Sequence, residues 1–381
     1  MEVNQENRIA GSKLVREFHL WDLPGSLFIL FNKETNDLFF KRIYKTFGTQ
    51  QEFAKFLGVW RQDVNKYHKQ IDKDKGKYYP VYFSLKLFKK CCPFLDKGFL
   101  LYLEQNTAEI RVRTGLSVYN PKLPIQESEE IYRVIAHVIA DGSASKGKTP
   151  YYANTCKELR EQFKKDLGIF GEMKIYERKP QAVEILYFPK VITDILAYLF
   201  DVQFTYPNRI PKLVFTADDK LKKVFLQALF DDEGSMTAQL VLTIHNVNIM
   251  EEIKSLISSL GIKTSKVMVH HYEYKRNKVY FQIPKSEYKR FQQEIGFSHP
   301  EKARKLKLAI RTQNRRQRTR NPDYIEQEIL KLLDIKPSPT IELANELMFT
   351  INGIMPHLDR MLEEGLIVKK GYRNKVIWDI A

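Results

Sequence analysis

Two acid-Gly-Ser tripeptides are the residues of this chain best suited to binding a divalent cation. They are Asp141-Gly142-Ser143 and Glu233-Gly234-Ser235, and each follows an apolar run with helical spacing. If the two helices pack side by side, both carboxylates lie at helix C-terminal ends, where they repel each other and the helix dipoles. A hard cation relieves that repulsion, and carboxylates with open coordination positions suit Mg²⁺. The pattern therefore predicts a Mg²⁺ site, with Mn²⁺ as an alternative, that activates water for attack on a phosphate.

The two tripeptides belong to an internal repeat. Asp141 and Glu233 are 92 positions apart. Two further pairs of segments keep the register: Leu167-Gly168-Ile169 matches Leu260-Gly261-Ile262, and Phe188-Pro189-Lys190 matches Ile283-Pro284-Lys285. Three matches in register indicate a duplicated structural unit.

Each copy is predicted to fold as helix, two strands, helix, two strands, helix. After the first helix, we expect elements at 151–154, 156–167, 173–177, 183–188 and 191–200 in copy one, and at 238–246, 249–260, 263–274, 278–283 and 285–295 in copy two, with a turn at 275–277. Gly142 and Gly234 are expected to end the first helices in the left-handed conformation. Ala136, Ala140 and Ala228 are small enough for the two helix backbones to approach closely.

The tripeptides and the helices before them resemble LAGLIDADG motifs, and the resemblance spans residues 126 to 305, with Ile295 to Lys302 similar to the closing segment of single-chain members. The resemblance implies a saddle of two half-domains whose sheets lie on duplex DNA, with the last acids of the motifs binding Mg²⁺ and cutting both strands. By position those acids are Asp141 and Glu233, and the backbone carbonyls of Ala140 and Asp232 are secondary ligands. Asp232 departs from the small residue that the family prefers and adds a third carboxylate near the site.

Two asparagines are candidates for polar active-site residues. Asn154 and Asn246 each end the first strand pair of their copy. Capping of the helix that follows is an equally good interpretation of both. His137 and His245 are interpreted as structural residues.

Charge points to a polyanionic partner. The chain has 62 Lys and Arg against 46 Asp and Glu, a formal +16. Residues 1–125 and 301–320 each carry +8, whereas 126–300 carry +3 and 321–381 carry −3. No apolar run is long enough for a membrane helix, so we expect a cytoplasmic, nucleoid-associated protein with no membrane partner. The three cysteines have neither a disulfide-framework nor a zinc-site spacing.

Basic residues on the predicted hairpins and on the segment after the repeats are candidates for DNA contacts. They are Lys174, Arg178, Lys263, Lys266, Lys275, Arg276, Lys278, Arg311, Arg315 and Arg316. Each has an alternative interpretation as a solvated surface charge, and the segment 302–320 has an alternative interpretation as a flexible linker rather than an arm along phosphates.

Helix-turn-helix signals flank the repeats. Residues 50–69 have the apolar spacing of two short helices joined at Gly58, and the second helix would present Arg61, Gln62, Asn65 and Lys66 to a major groove. A packed helix pair without function is the alternative. Residues 322–381 resemble a winged helix, with helices at 324–333, 340–347 and 352–364 and a hairpin at 366–368 and 376–378. Because this block is acidic, it is predicted to bind either DNA or protein.

These features predict an α+β chain in which a pseudo-twofold saddle of two αββαββα repeats is flanked by an all-α helix-turn-helix domain and a winged-helix domain. The expected domains are 1–125, a helix-turn-helix region plus connecting strands near 109–118; 126–300, with repeats at about 126–203 and 218–300; a basic arm or linker at 301–321; and a winged helix at 322–381. The chain begins with Met and ends in Asp-Ile-Ala, so we expect a free-standing protein rather than part of an intein.

The predicted function is Mg²⁺-dependent cleavage of both strands at a long, specific DNA site by a monomeric homing endonuclease. Two other functions remain open: a DNA-binding transcriptional regulator that keeps the saddle without cleavage, and an RNA maturase that assists intron splicing. Fold alone does not choose among them.

Overall fold

The protein is described by a computed structural model at residues 16–74, 77–145, 147–180, 183–205, 207–237, 239–272, 275–312, 322–347, 349–371 and 376–381, with the side chains of 72–79, 272–277 and 312 outside that description. The described helices and strands form several small sheets whose paired strands are antiparallel, consistent with the α+β class. The chain divides into two compact units, Met1–Phe225 and Leu226–Ala381. Among the described helices, none combines the length and the apolar content that a bilayer crossing requires.

The N-terminal part of the first unit mixes helices and strands. Its elements are β1 (Glu17–Phe18), β2 (Phe28–Phe31), α1 (Lys33–Phe47), α2 (Gln50–Leu57), α3 (Arg61–Lys69), β3 (Ile71–Asp74), β4 (Lys77–Pro80), β5 (Phe83–Ser84), α4 (Leu85–Cys91), α5 (Lys97–Gln105), β6 (Thr107–Arg111), β7 (Ser117–Tyr119) and β8 (Ile125–Gln126). A five-stranded sheet contains β5, β2, β6 and β7, so the prediction of an all-α N-terminal domain is wrong. Strands β6 and β7 lie at the two ends of the strand-like segment 109–118. Strands β2 and β5 are four and two residues long, too short for an alternating pattern to be recognised in the sequence.

Helices α2 and α3 occupy the predicted positions and are joined at the predicted glycine. The Thr49 side chain caps α2 by accepting from the Glu52 backbone N–H, and Gly58 ends the helix in the left-handed conformation with φ of 77°. Phe53, Leu57 and Val64 are buried between α2, α3 and their neighbours. The hairpin of β3 and β4 follows α3 directly.

The first repeat lies in the first unit and consists of α6 (Glu129–Ala140), β9 (Gly142–Ser143), β10 (Tyr151–Asn154), α7 (Lys157–Leu167), β11 (Glu172–Met173), β12 (Tyr176–Arg178), β13 (Glu184–Tyr187) and α8 (Lys190–Phe200). Four strands form sheet one in the order β9-β10-β13-β12. The predicted strand 173–177 is wrong as a single element, because Met173 belongs to β11, which pairs with β7 in the N-terminal sheet.

The second repeat follows α9 (Lys212–Thr216) and consists of α10 (Asp219–Glu233), β14 (Gly234–Met236), β15 (Leu240–Ile244), α11 (Val247–Ser259), β16 (Met268–Tyr272), β17 (Lys275–Ile283) and α12 (Tyr288–Glu294). Sheet two has the order β14-β15-β17-β16, which is the order of sheet one in the equivalent strands. The predicted turn at 275–277 is wrong: these residues begin β17, and Lys275 pairs with Tyr272.

The remaining elements are α13 (Pro300–Thr312), α14 (Pro322–Ile335), β18 (Ser338–Pro339), α15 (Thr340–Glu346), α16 (Ile351–Glu363), β19 (Ile367–Lys370) and β20 (Ile377–Ile380). The last three strands form a sheet in the order β18-β20-β19 around Trp378, whose indole N–H donates to the Thr340 hydroxyl at 2.8 Å. Residues 301–312 belong to α13 and are not a flexible linker. Leu308 of α13 is buried in the core of this C-terminal group of elements.

Candidate functional site

Asp141 lies at the junction where α6 runs directly into the first strand of sheet one. Its backbone N–H donates to the His137 carbonyl at 3.0 Å, and its own carbonyl accepts from the Ala153 N–H at 3.1 Å. The Asn154 side-chain amide donates to the Asp141 carboxylate at 3.3 Å. Sheet one therefore holds both the backbone and the carboxylate of this acid.

Asn154 links the acid to the helix that follows. The side chain is 9% exposed, and its Oδ1 accepts from the Cys156 backbone N–H at 2.8 Å. The same side chain thus shapes the turn before α7 and orients Asp141, so the two interpretations of Asn154 are combined in one residue.

Helix α6 is fixed at both flanks. The Arg133 guanidinium donates to both carboxylate oxygens of the buried Asp166 on α7, at 2.9 and 3.0 Å. At the start of the helix, the Lys220 ammonium at the beginning of α10 lies 2.6 Å from the Glu129 carboxylate. This hydrogen bond lowers the pKa of Glu129 and raises the pKa of Lys220. The N-terminal ends of the two motif helices therefore lie together.

Glu233 is the last residue of α10, and Gly234 begins the first strand of sheet two. The end of this helix is occupied by the Lys302 ammonium from α13. It donates to the carbonyls of Phe230 at 3.3 Å and Asp232 at 3.2 Å, and also to the Asp231 carbonyl. A cation at the negative end of a helix is stabilised by the helix dipole.

The segment before Lys302 is tied to the same turn. Asp231 is 2% exposed, and its carboxylate accepts from the backbone N–H groups of Ser298 at 3.1 Å and His299 at 2.9 Å. The Gln227 amide donates to the Ile295 carbonyl at 2.7 Å. Among the three consecutive acids at the end of α10, Asp231 thus has a structural contact that the sequence did not reveal.

Gly142 and Gly234 allow the strand to pass close to the last turn of the preceding helix, and they do not form a left-handed turn. Neither has a positive φ, so the predicted left-handed helix ends are wrong. A Cβ on Gly142 would lie 2.5 Å from the Val138 Cα and 2.7 Å from its carbonyl oxygen. A Cβ on Gly234 would overlap the Phe230 carbonyl oxygen. The chain passes straight from helix into strand, and only glycine lets the strand pass so close to the last helical turn.

Asn246, the counterpart of Asn154, is the N-cap of α11. Its side-chain oxygen accepts from the backbone N–H groups of Asn248 at 2.9 Å and Ile249 at 3.3 Å. Capping, the alternative interpretation of this residue, describes these contacts. Both asparagines accept from the backbone N–H two residues later, so the equivalent position has kept its residue type and this contact.

The donor types at the two junctions suit a hard cation. Carboxylate oxygens of Asp141 and Glu233 and a carbonyl such as that of Ala140 are the ligands that Mg²⁺ and Mn²⁺ accept. At the second junction, the Asp232 carbonyl is already engaged by the Lys302 ammonium. Within the described residues, no group of three or more His, Cys, Asp or Glu side chains is arranged to hold a metal ion.

The predicted DNA-contact residues of the repeats lie on or beside the strands of the two sheets. Lys174, Arg178, Lys263, Lys266 and Lys278 are exposed, and Arg178 and Lys278 are on strands β12 and β17. Lys275 and Arg276 are the first residues of β17, and their side chains lie outside the described residues. On α13, Arg311 is exposed, whereas Arg315 and Arg316 lie outside the described residues.

The N-terminal helix pair presents polar side chains and one that the sequence reading missed. On α3, Arg61 and Gln62 are exposed, and Asn65 and Lys66 are partly exposed. Trp60, the N-cap of α3, is 81% exposed. An indole immediately before two long polar side chains was visible in the sequence, but only the structure shows that it faces solvent.

Comparisons with known proteins give partial likenesses. No protein-family model matches the chain. A curated relative, glutamine–fructose-6-phosphate aminotransferase [isomerizing] of Methanocaldococcus jannaschii, is 25% identical over 302 residues, which are 73% of this chain and 26% of the relative. The chain therefore spans about a quarter of the length of that relative.

Three solved structures align with part of the chain at low similarity. The homing endonuclease I-DmoI in complex with DNA and Mn aligns with 44% of this chain and 96% of its own at 13% identity and a TM-score of 0.33. The homing endonuclease I-WcaI bound to its DNA recognition sequence aligns over 44% and 81% of the two chains at 19% identity and a TM-score of 0.31. Full-length DUF199/WhiA from Thermotoga maritima aligns over 62% and 90% at 12% identity and a TM-score of 0.35. TM-scores this low do not establish a common fold.

Proposed function

We propose that the protein is a metal-dependent endonuclease that cuts both strands of duplex DNA at a long, specific site. The observation that carries the proposal is the duplicated junction at which an acid-bearing helix runs directly into a four-stranded sheet. Asp141 precedes β9 and Glu233 precedes β14, and both sheets have the same strand order. A nuclease that cuts two strands needs two equivalent sets of catalytic groups, and this repeat supplies an acid for each.

The start of α10 lies beside α6, because Lys220 at the beginning of α10 contacts Glu129 of α6. Ala136 on α6 and Ala228 on α10 are both buried and are small residues at matching positions of the two repeats.

Each residue of the proposed site has a defined task. Asp141 and Glu233 would hold Mg²⁺ or Mn²⁺ with help from the Ala140 carbonyl; the bound ion would activate water and neutralise charge on the phosphate that is attacked. The Asn154 amide holds the Asp141 carboxylate in one orientation. Lys302 neutralises the negative end of the α10 dipole and holds the last turn of α10, which carries Glu233, in place.

The flanking groups of elements extend the proposed DNA contact. We assign α2 and α3 as a helix-turn-helix pair that places Arg61 and Gln62 in a major groove, and the hairpin of β3 and β4 as its wing. We assign residues 322–381 as a winged helix, since its described elements run helix, strand, helix, helix, strand, strand. Lys370 of its hairpin is paired with Asp379 at 2.7 Å, which favours a protein partner over DNA for this group.

The experiment is a cleavage assay on a pooled duplex library with pure protein and Mg²⁺ or Mn²⁺. We expect discrete double-strand breaks that are lost in Asp141→Asn and Glu233→Gln. Glu251→Gln, an exposed acid on α11, is the matched control and should cut normally. Intact DNA with folded wild-type protein in both metals, or cleavage that survives both acid substitutions, would overturn the proposal.

A second function is a DNA-binding regulator without cleavage. The observation that favours it is the Lys302 ammonium on the Asp232 carbonyl, a group that the family resemblance assigns to the metal. Such a regulator would bind a specific duplex equally well with and without divalent metal. It would also bind equally well in Asp141→Asn and Glu233→Gln, and would leave that duplex uncut.

A further inference from the structure

The two sheets differ in the chemistry of the face that is turned away from their helices. In sheet one, Tyr152 and Leu186 are fully buried on the helix side. Because side chains alternate along a strand, their neighbours Tyr151 and Tyr187 lie on the opposite, open face. Tyr151 pairs with Tyr187, and Tyr187 pairs with Tyr176 on the next strand. We call these three residues the tyrosine row.

The tyrosine row lies on the face opposite to the acids of strands β12 and β13. Tyr176 is 54% exposed, and the rings of Tyr151 and Tyr187 have centroids 5.8 Å apart. The acids of the same strands face the helices: Glu177 pairs with Lys164, and Glu184 pairs with Arg160, both on α7.

The charge on this open face is positive. Arg178 is exposed on β12, two residues after Tyr176, and therefore lies on the same side of the strand. A row of aromatic rings with a guanidinium beside it complements sugars, thymine methyl groups and phosphates. It has few groups that distinguish one base edge from another.

The open face of sheet two carries more polar side chains than that of sheet one. Along β17, Val279, Phe281 and Ile283 are each 1% exposed or less, so Lys278, Tyr280 and Gln282 alternate onto the open face. The cross-strand neighbours on that face include Thr243 and Met268, opposite Tyr280, His270, opposite Lys278, and Val241, opposite Gln282.

These side chains are held in place by contacts among themselves. The His270 and Tyr280 rings are stacked with centroids 5.4 Å apart, and the His270 Nε2 and the Tyr280 hydroxyl are 2.9 Å apart. The Lys278 ammonium lies 5.6 Å from the Tyr280 ring centroid. Amide, ammonium and hydroxyl groups on strands that enter a major groove can form hydrogen bonds with base edges.

We infer that the open faces of the two sheets contact duplex DNA unequally: the face of sheet two selects base sequence, and the tyrosine row of sheet one binds with little base selection. The inference rests on the DNA binding of the proposed function but not on cleavage. Its substrate class is a duplex in which one half-site is tightly specified and the other is loosely specified.

The test is selection of duplexes from a random library by the full-length Asp141→Asn/Glu233→Gln protein, which is expected to bind without cutting. We expect base preference to be concentrated in one half of the selected site. Gln282→Ala should relax the preference at one or two positions in that half and weaken binding by about 5- to 150-fold. Tyr176→Ala should weaken binding to all selected sequences alike, by about 2- to 10-fold, and leave the consensus unchanged.

Matched controls separate these effects from general damage. Tyr198 of α8 is 58% exposed and Gln293 of α12 is exposed, so Tyr198→Ala and Gln293→Ala should bind like the parent protein. Equal base preference in both halves, or a changed consensus in Tyr176→Ala, would overturn the inference while leaving the proposed function intact. Preference for single-stranded DNA or RNA over every duplex would overturn both, because the tyrosine row would then be a platform for unstacked bases.

Discussion

The two acid junctions share a backbone plan and differ in what supports the acid. At the first junction, sheet one supplies the support: the Asn154 amide donates to Asp141, and the Ala153 N–H donates to its carbonyl. At the second junction, the support comes from outside the repeat, as Lys302 binds the last carbonyls of α10. Asn246, the counterpart of Asn154, is the N-cap of α11.

The two junctions show which feature of the duplicated unit its backbone packing requires. Both junctions keep glycine, because at both the strand passes against the last helical turn. At the second junction, Lys302 of α13 adds a contact from outside the repeat. Backbone packing therefore explains the similarity of the two junctions, and a residue beyond the repeat adds a feature to the second one.

The largest expected effect is on the shared feature. Gly142→Ala and Gly234→Ala should each lower the free energy of unfolding by about 3 kcal/mol, because the new Cβ meets backbone atoms that cannot move independently. Chemical denaturation measures this loss. Gly98→Ala is the control, since Gly98 lies inside α5 with a negative φ and nearest contact at 3.3 Å, and this change should be neutral or stabilising. Near-neutral Gly142→Ala and Gly234→Ala would show that the close junction is not a requirement.

The next effect is confined to the second junction. Lys302→Met should lower the free energy of unfolding by about 2 kcal/mol, because it leaves the last carbonyls of α10 without their cation. Hydrogen exchange should speed up in the last turn of α10 and stay unchanged in α6. Lys302→Arg should restore part of the protection. Lys305→Met is the control, since Lys305 pairs with Glu301 on its own helix. Equal exchange changes in α6 and α10 would contradict the contrast.

A smaller effect compares the two asparagines directly. Asn154→Ala and Asn246→Ala should each cost about 1 kcal/mol of stability, because each removes a side-chain acceptor for backbone N–H groups before a helix. Asn154→Ala should also slow cleavage of a specific duplex, by about 10-fold, since it frees the Asp141 carboxylate to rotate. The measurement is the single-turnover cleavage rate at saturating protein. An unchanged rate in Asn154→Ala would remove this residue from the proposed site.

Local features of the repeats were predictable from the sequence, and contacts between distant residues were not. The order of elements in the repeats was predictable, because the helical and alternating patterns and the acid-Gly pairs are local. The contact at the end of α10 was not predictable, because Lys302 lies 69 positions after Glu233 and reaches the carbonyls just before that residue only through the packing of α13. The sheet to which a strand belongs was also not predictable. Met173 pairs with Val118 in the N-terminal sheet, and the residues of a strand do not indicate which strand it pairs with.

The smallest expected effect tests whether DNA contact extends beyond the repeats to α3. Of the three tryptophans, Trp378 is fully buried and Trp60 is 81% exposed. If Arg61 and Gln62 enter a groove, Trp60 becomes shielded, because it directly precedes them at the start of α3. Binding of a selected duplex should reduce acrylamide quenching of the tryptophan fluorescence, and Trp60→Phe should abolish that change. Unchanged quenching at saturating duplex would confine DNA contact to the repeats and assign the N-terminal helix pair to another partner.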